Sequence, residues 1–355
     1  MTLSGESADR YSRQLRFAGL GAEGQQRLMA ARVAVIGCGA LGSTIAEILV
    51  RAGVGMVRLV DRDFVDASNL PRQSLFDERD VAEVQPKTVA AARRLRAINS
   101  RCRIEPVVAH VSTRTVEGMI KAVDLVMDGT DNFQTRFLLN DAAVKHKRPW
   151  IFGSALAAHG MMMVVRPGLT PCLRCVLGDV PPQGAVPSCD QEGILASTVH
   201  TVAALQCVEA IKLLAGRHDD LERRLVDFDL WAGRFDYRGV GKLRGKGLCP
   251  TCEQSRYEYL DGALEPPVQL AGRDGVHVMP PEGRGAIDLD FVTAAALKHA
   301  GKRGLIRNDH LVRFCPRGLK VTVFADGRAI VQGTTDADEA REVYDRYVTW
   351  AEDRR

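Results

Sequence analysis

Four cysteines fall in two pairs of equal spacing, Cys172 and Cys175 in "PCLRC" and Cys249 and Cys252 in "LCPTC". Two intervening residues let both thiolates of a pair reach one tetrahedral ion. Four sulfur ligands leave no open position on it, so the expected chemistry is a structural zinc site stapling distant segments. A second grouping is built on glycine: Gly37, Gly39 and Gly42 follow the apolar run "RVAVI" and precede a second run that ends at Asp61. Gly37 suits a tight strand-to-helix turn, Gly39 a close approach of backbone to phosphate, and Gly42 close helix packing. The helix N-terminus attracts an anion, and the carboxylate at the next strand end can accept from ribose hydroxyls. Alone, this layout fits an NAD enzyme as well as another nucleotide user, or a tight turn with no ligand at all.

The residues that follow narrow the choice. Asn69, Arg72 and Lys87 add donors and cations that three phosphates need and a nicotinamide does not. Lys87 precedes an apolar-periodic helix, so its ammonium can face a phosphate as a point charge. Asp131, in "DGTDN" after the strand "VDLVM", lies where ligands of open α/β sheets bind, and a hard carboxylate there suits Mg²⁺.

Taken in order, "RYSRQ" (Arg10 to Gln14), the Gly37 to Gly42 loop, "LVDRD", "SNLPRQ", "QPK", "TDN" and the two cysteine pairs resemble the E1-like activating enzymes of the ThiF/MoeB/HesA type, from about residue 8 to about residue 257. These are adenylyltransferases of ubiquitin-like sulfur-carrier proteins. The resemblance implies that Arg13 reaches the triphosphate across a homodimer interface and that Asp61 holds the ribose. It puts Asp63, Asn69, Arg72, Gln73 and Lys87 around the nucleotide, and Asp131 with Asn132 at the Mg²⁺ and phosphate end. The implied reaction consumes ATP, adenylates the C-terminal glycine of a carrier ending in Gly-Gly and releases pyrophosphate. That activates the carrier for sulfur transfer in thiamin, molybdopterin or related biosynthesis, with a cysteine desulfurase or rhodanese as sulfur donor. An NAD-dependent oxidoreductase would leave the arginine arm, "QPK" and "TDN" unexplained; a catalytically inactive, zinc-stapled carrier-binding module would not need Lys87 and Asp131 together.

Cys189, in "VPSCDQEG", has two readings. The resemblance allows a covalent or sulfur-transfer role for a cysteine in this loop, whereas Asp190 and Glu192 would raise its pKa and favour an unreactive loop thiol. Cys38, Cys102 and Cys207 read as small buried residues, and His200 as a packed or surface histidine. Cys315 in "RFCPRG" lacks the following helix that a rhodanese loop requires.

Positioning these groups calls for strands alternating with helices: "RVAVIG", "LGSTIAEILVRAG", "MVRLVD", a helix near 86–99, "IEPVVAHV" and "VDLVMDG". That order argues for a Rossmann-like, mostly parallel sheet with helices on both faces. "PWIFGSA" and "HGMMMVVRPG" read as further strands and "STVHTVAALQCVEAIKLLAG" as a long helix; the Pro- and Gly-rich 177–193 reads as a loop. The expected division is a helical arm at 1–30, an adenylation domain with its zinc site at 31–260, a linker at 261–272 and a small α+β domain at 273–355. In the last, Asp326-Gly327 marks a hairpin, and Asp336 and Glu339 a capping box for a helix burying Ala340, Val343, Tyr344, Tyr347 and Val348. The 48 basic and 44 acidic residues are interspersed, which gives no nucleic-acid stripe. No apolar stretch has the length of a membrane span, no signal peptide is evident, and the expected location is the cytoplasm.

Overall fold

The computed structural model describes residues 5–181, 189–262, 275–281, 284 and 286–348, with the backbone alone at positions 6, 7, 189 and 190. The chain divides into two compact units, Met1–Val81 with Pro86–Glu265, and Ala82–Gln85 with Pro266–Arg355.

The first unit begins with α1 (Glu6–Arg10), α2 (Ser12–Arg16) and α3 (Gly21–Ala30), three helices where the sequence reads as one helical arm. α1 and α2 part at Tyr11, and α2 and α3 at "FAGLG", where Gly21 takes a left-handed φ of 62°. Tyr11 and Leu28 are buried, so the arm packs into the unit's core. Then come β1 (Arg32–Ile36), α4 (Ala40–Ala52), β2 (Met56–Asp61), α5 (Glu78–Ala82), α6 (Lys87–Ile98), β3 (Arg103–Val108), α7 (Val116–Ile120), β4 (Leu125–Asp128), α8 (Phe133–Lys145) and β5 (Trp150–Leu156). The strands from β1 to β5 pair in parallel in the order β3-β2-β1-β4-β5. The sheet continues antiparallel through β6 (His159–Val165), β7 (Leu225–Asp229) and β8 (Arg234–Arg238). Between β6 and β7 lie α9 (Leu173–Leu177), α10 (Cys189–Glu192) and α11 (Ala196–Leu214).

Both faces of the parallel strands are buried, which explains their near-continuous apolar runs. Val33 and Val35 of β1 join one core with α3, α4, α6 and α11. Ala34 and Ile36 join a second with α7, α8 and the segments carrying the paired cysteines. The strand order reverses between β1 and β4, and such a switch point opens a crevice at the strands' carboxyl ends. The glycine loop and "DGTDN" both start there.

The second unit comprises β9 (Gly275–Val278), α12 (Leu289–His299), β10 (Ile306–Arg307), β11 (Leu311–Phe314), β12 (Lys320–Phe324), β13 (Ala329–Gln332) and α13 (Ala337–Tyr347). Its sheet is antiparallel in the order β10-β11-β12-β13-β9. β12 and β13 are joined through Asp326 and Gly327, whose φ of 87° suits only glycine well. The Asp336 carboxylate accepts from the N–H groups of Asp338 and Glu339, the forward half of the capping box. Ala340, Tyr344, Tyr347 and Val348 pack with Val276, Phe314 and Val323 in a core of the unit's own.

Candidate nucleotide site and metal centre

Three glycines lock the crevice. A Cβ on Gly42 would stand 1.8 Å from the carbonyl oxygen of Gly37, and one on Gly37 (φ 88°) would stand 2.5 Å from that of Gly129. The backbones of the two loops therefore touch. At Gly39, among the described residues, such a Cβ would meet the Gln73 side-chain nitrogen at 3.9 Å and nothing nearer, which leaves room above the α4 N-terminus. That terminus offers unpaired N–H groups and the positive end of a helix dipole to an anion.

Around this opening the structure gathers Asp61, Asp63, Gln73 and Lys87. Asp61 at the end of β2 accepts from the Cys38 N–H at 2.6 Å and the Asp63 N–H at 2.8 Å. Burial raises its carboxyl pKa against the opposing pull of Lys87. Lys87, the first residue of α6, is buried with its ammonium 3.2 Å from the Asp63 carboxylate. Gln73 is buried too, and its Oε1 has no hydrogen-bond partner among the described residues. Asn69 is engaged locally, its Oδ1 accepting from the Asp66 N–H in a short 3₁₀ turn. Arg72, half-buried, donates to the Ser68 carbonyl at 2.7 Å.

On the other side of the switch point Asp131 is exposed and accepts from Asn132 Nδ2 at 3.2 Å. Asn132 caps α8 through the Thr135 N–H. Beneath them lies a network that sequence reasoning missed. Asp128 accepts from the N–H and hydroxyl of Thr130 and from Arg136 Nε at 3.1 Å. Arg136 also donates to the carbonyls of Thr130 and Gly153, and its guanidinium lies over the Phe133 and Phe152 rings. Both residues are buried, so this pair fixes the loop bearing Asp131. Its signal was available: an acid closing the apolar run "LVM" and an arginine in the first turns of the helix that follows.

In the arm, Tyr11 and Gln14 turn inward. Tyr11 accepts from Asn99 Nδ2, and Gln14 donates to Gln25 and to the Ala52 carbonyl. Arg13 between them is exposed. The structure does not bring it to the crevice through any contact described. Cys189 opens α10, and its side chain lies outside the described residues. Cys38, Cys102 and Cys207 are buried thiols raised in pKa by burial, Cys102 to about 11. His200 is on the surface, and Cys315 is exposed in the turn between β11 and β12.

The paired cysteines converge: the Sγ atoms of Cys172, Cys175, Cys249 and Cys252 all lie within 4.8 Å of one another. Cys172 stands 3.9 Å from Cys175 and 3.6 Å from Cys249, and Cys175 stands 3.3 Å from Cys252. A tetrahedron with Zn–S bonds of about 2.3 Å has an edge of about 3.8 Å, near these separations, so the donor set suits zinc. Arg174, within the first pair, bridges Asp179 and Glu258 at 2.7 Å each and covers the Tyr259 ring.

The sequence profile of the ThiF family matches residues 11–251. A Bacillus subtilis (strain 168) protein named sulfur carrier protein ThiS adenylyltransferase is 38% identical over 340 residues, which cover 96% of this chain and 99% of that one. This chain belongs to the ThiF family. It is an adenylyltransferase by that kinship. The Thermus thermophilus sulfur carrier protein adenylyltransferase is 38% identical over 263 residues, 72% of this chain and 95% of its own length. Adenylyltransferase and sulfurtransferase MOCS3 of Bos taurus is 40% identical over 250 residues; this chain spans about half of it, with 54% covered. Among solved structures, Escherichia coli MccB with succinimide superposes at a TM-score of 0.61 and 22% identity, covering 70% of this chain and 74% of that one, a likeness of fold. No helix among the described residues is long and apolar enough to cross a membrane.

Proposed function

We propose that this ThiF-family enzyme uses ATP to adenylate the C-terminal glycine of a ubiquitin-like sulfur-carrier protein, releasing pyrophosphate. The carrying observation is the open α4 N-terminus at Gly39, ringed by Asp61, Gln73 and Lys87, in a chain 38% identical to a ThiS adenylyltransferase over 96% of its length.

A carboxylate is a poor electrophile, and an acyl adenylate carries a better leaving group. The carrier's terminal carboxylate attacks the ATP α-phosphorus in line. Pyrophosphate leaves with the electron pair of the broken P–O bond. Lys87 would exchange its contact with Asp63 for phosphate oxygens, Arg72 would add charge beside it, and the Asp61 oxygens retain lone pairs for ribose hydroxyls. Asp131, Asp63 and Asn132 supply the hard oxygens that suit Mg²⁺, which when bound would offset charge on the polyphosphate. Arg13, exposed on the arm, is assigned to the triphosphate of the partner subunit in a homodimer. The four-cysteine centre is assigned to structural Zn²⁺, and the activated carrier then passes to a cysteine desulfurase or rhodanese in a cytoplasmic thio-cofactor route. Cys189 is a candidate for a covalent link to the carrier, read by intact mass.

The test is carrier-dependent exchange of labelled pyrophosphate into ATP. Lys87→Ala and Asp131→Ala proteins that keep the wild-type circular dichroism should lose it, and undiminished exchange in either removes that residue from the reaction.

A further inference from the structure

The two halves of the metal centre are 77 residues apart in sequence, and one helix spans the gap between them. α8 carries Asn140 and Asp141 side by side, both with no exposed surface. Asn140 Oδ1 accepts the N–H of Leu173, inside the first cysteine pair, at 2.9 Å. Asp141 Oδ1 accepts the hydroxyl of Thr251, inside the second pair, at 2.8 Å, and its Oδ2 accepts the Tyr259 N–H at 2.9 Å. One turn earlier on the same helix, the Phe137 ring packs on Tyr259 at 4.9 Å. Thr251 is itself fully buried.

A carboxylate cut off from water is costly unless donors fill its lone pairs, and the donors that reach Asp141 belong to the segment carrying the second pair. Opening that turn would leave a buried acid without them. The helix and the turn therefore hold each other. Neither residue touches a sulfur atom in a recorded bond, so the effect on the ion is indirect, through the backbone that aims the thiolates.

We propose that Asn140 and Asp141 are positioning residues of the metal centre: from a single helix they fix the Leu173 and Thr251 turns, so that the four sulfurs stand at coordination distance and the ion is retained. This goes beyond adenylation and does not depend on it. Partners outside the ligand set that orient metal ligands alter affinity by about 10–100-fold when removed.

The full-length protein is loaded with Zn²⁺, and transfer of the metal to a chromophoric chelator is timed. Thr251→Val removes the hydroxyl and keeps the shape; Thr251→Ser keeps the hydroxyl. The valine protein should release zinc about 10–100-fold faster, with the serine protein near wild type. Asp141→Asn should move with the valine variant if it folds, and the Thr251 pair decides the matter if it does not. Wild-type release from the valine protein, equally fast release from valine and serine, or failure of the wild-type chain to retain zinc would each overturn the proposal. Pyrophosphate exchange plays no part in the reading, so loss of the adenylation hypothesis would be seen separately.

Discussion

Arg13 and Arg136 carry the same charge and have opposite surroundings. Arg136 is buried against Asp128, and removing one partner strands the other, so Arg136→Ala should cost about 3–5 kcal/mol, read as a lower urea midpoint. Arg13 is exposed, and Arg13→Ala should change stability by less than about 0.5 kcal/mol while carrier-dependent exchange falls. If it acts across a two-fold interface, mixing Arg13→Ala with Lys87→Ala chains should restore about a quarter of wild-type exchange, because half the dimers are mixed and each has one complete site. No recovery after verified subunit mixing would place Arg13 in its own subunit's site. The cations and carboxylates proposed for the nucleotide site were picked out in the sequence because they stand in a fixed order, from "RYSRQ" to "TDN". Asp128 and Arg136 were not: a buried ion pair looks like two surface charges until the fold brings residues eight apart together.

At the scale of elements, the glycine loop separates structure from binding. Gly42→Ala would set a methyl 1.8 Å from backbone and should unfold the β1–α4 turn, whereas Gly39→Ala meets nothing closer than 3.9 Å among the described residues. The Gly39 variant is expected to melt close to wild type yet lose nucleotide affinity in calorimetry, because its methyl fills the opening above the helix end. Unimpaired ATP binding in it would move the phosphates elsewhere. The parallel strands were legible through their double-sided burial, and α4 and α11 through their apolar spacing. The β7–β8 hairpin escaped notice. Phe235 and Tyr237 alternate with charges there, but β8 is an exposed edge whose pattern is weak, with one ring stacked on Phe228 at 4.8 Å. The convergence of the cysteine pairs could be anticipated from spacing; Asn140 and Asp141, a polar pair within "FLLNDAAV", acquire meaning only when α8 meets both turns.

At the scale of the molecule, each unit has its own core, and the Thermus relative is matched over 95% of its length by 263 residues, about the size of the first unit. A chain ending at Gly262 is expected to load zinc and support pyrophosphate exchange. Zinc binding without exchange would give the second unit a part in the reaction. The proline- and glycine-rich "DGALEPPVQLAG" reads as a linker in the sequence, whereas nothing there assigns Ala82–Gln85 to the second unit. The chemistry of the second unit is not legible either, since its residues serve a sheet and two helices of ordinary composition. The distance between the cysteine pairs has a bearing on birth as well as on shape. At ribosomal speeds of about 5–20 residues per second, the 77 residues between Cys172 and Cys249 leave the first pair waiting roughly 4–15 s for its mate. With zinc at the four cysteines, as proposed, the nascent polypeptide would show open thiols through that interval, and scarcity of the ion would be felt as misassembly during translation, before any finished enzyme meets its substrate.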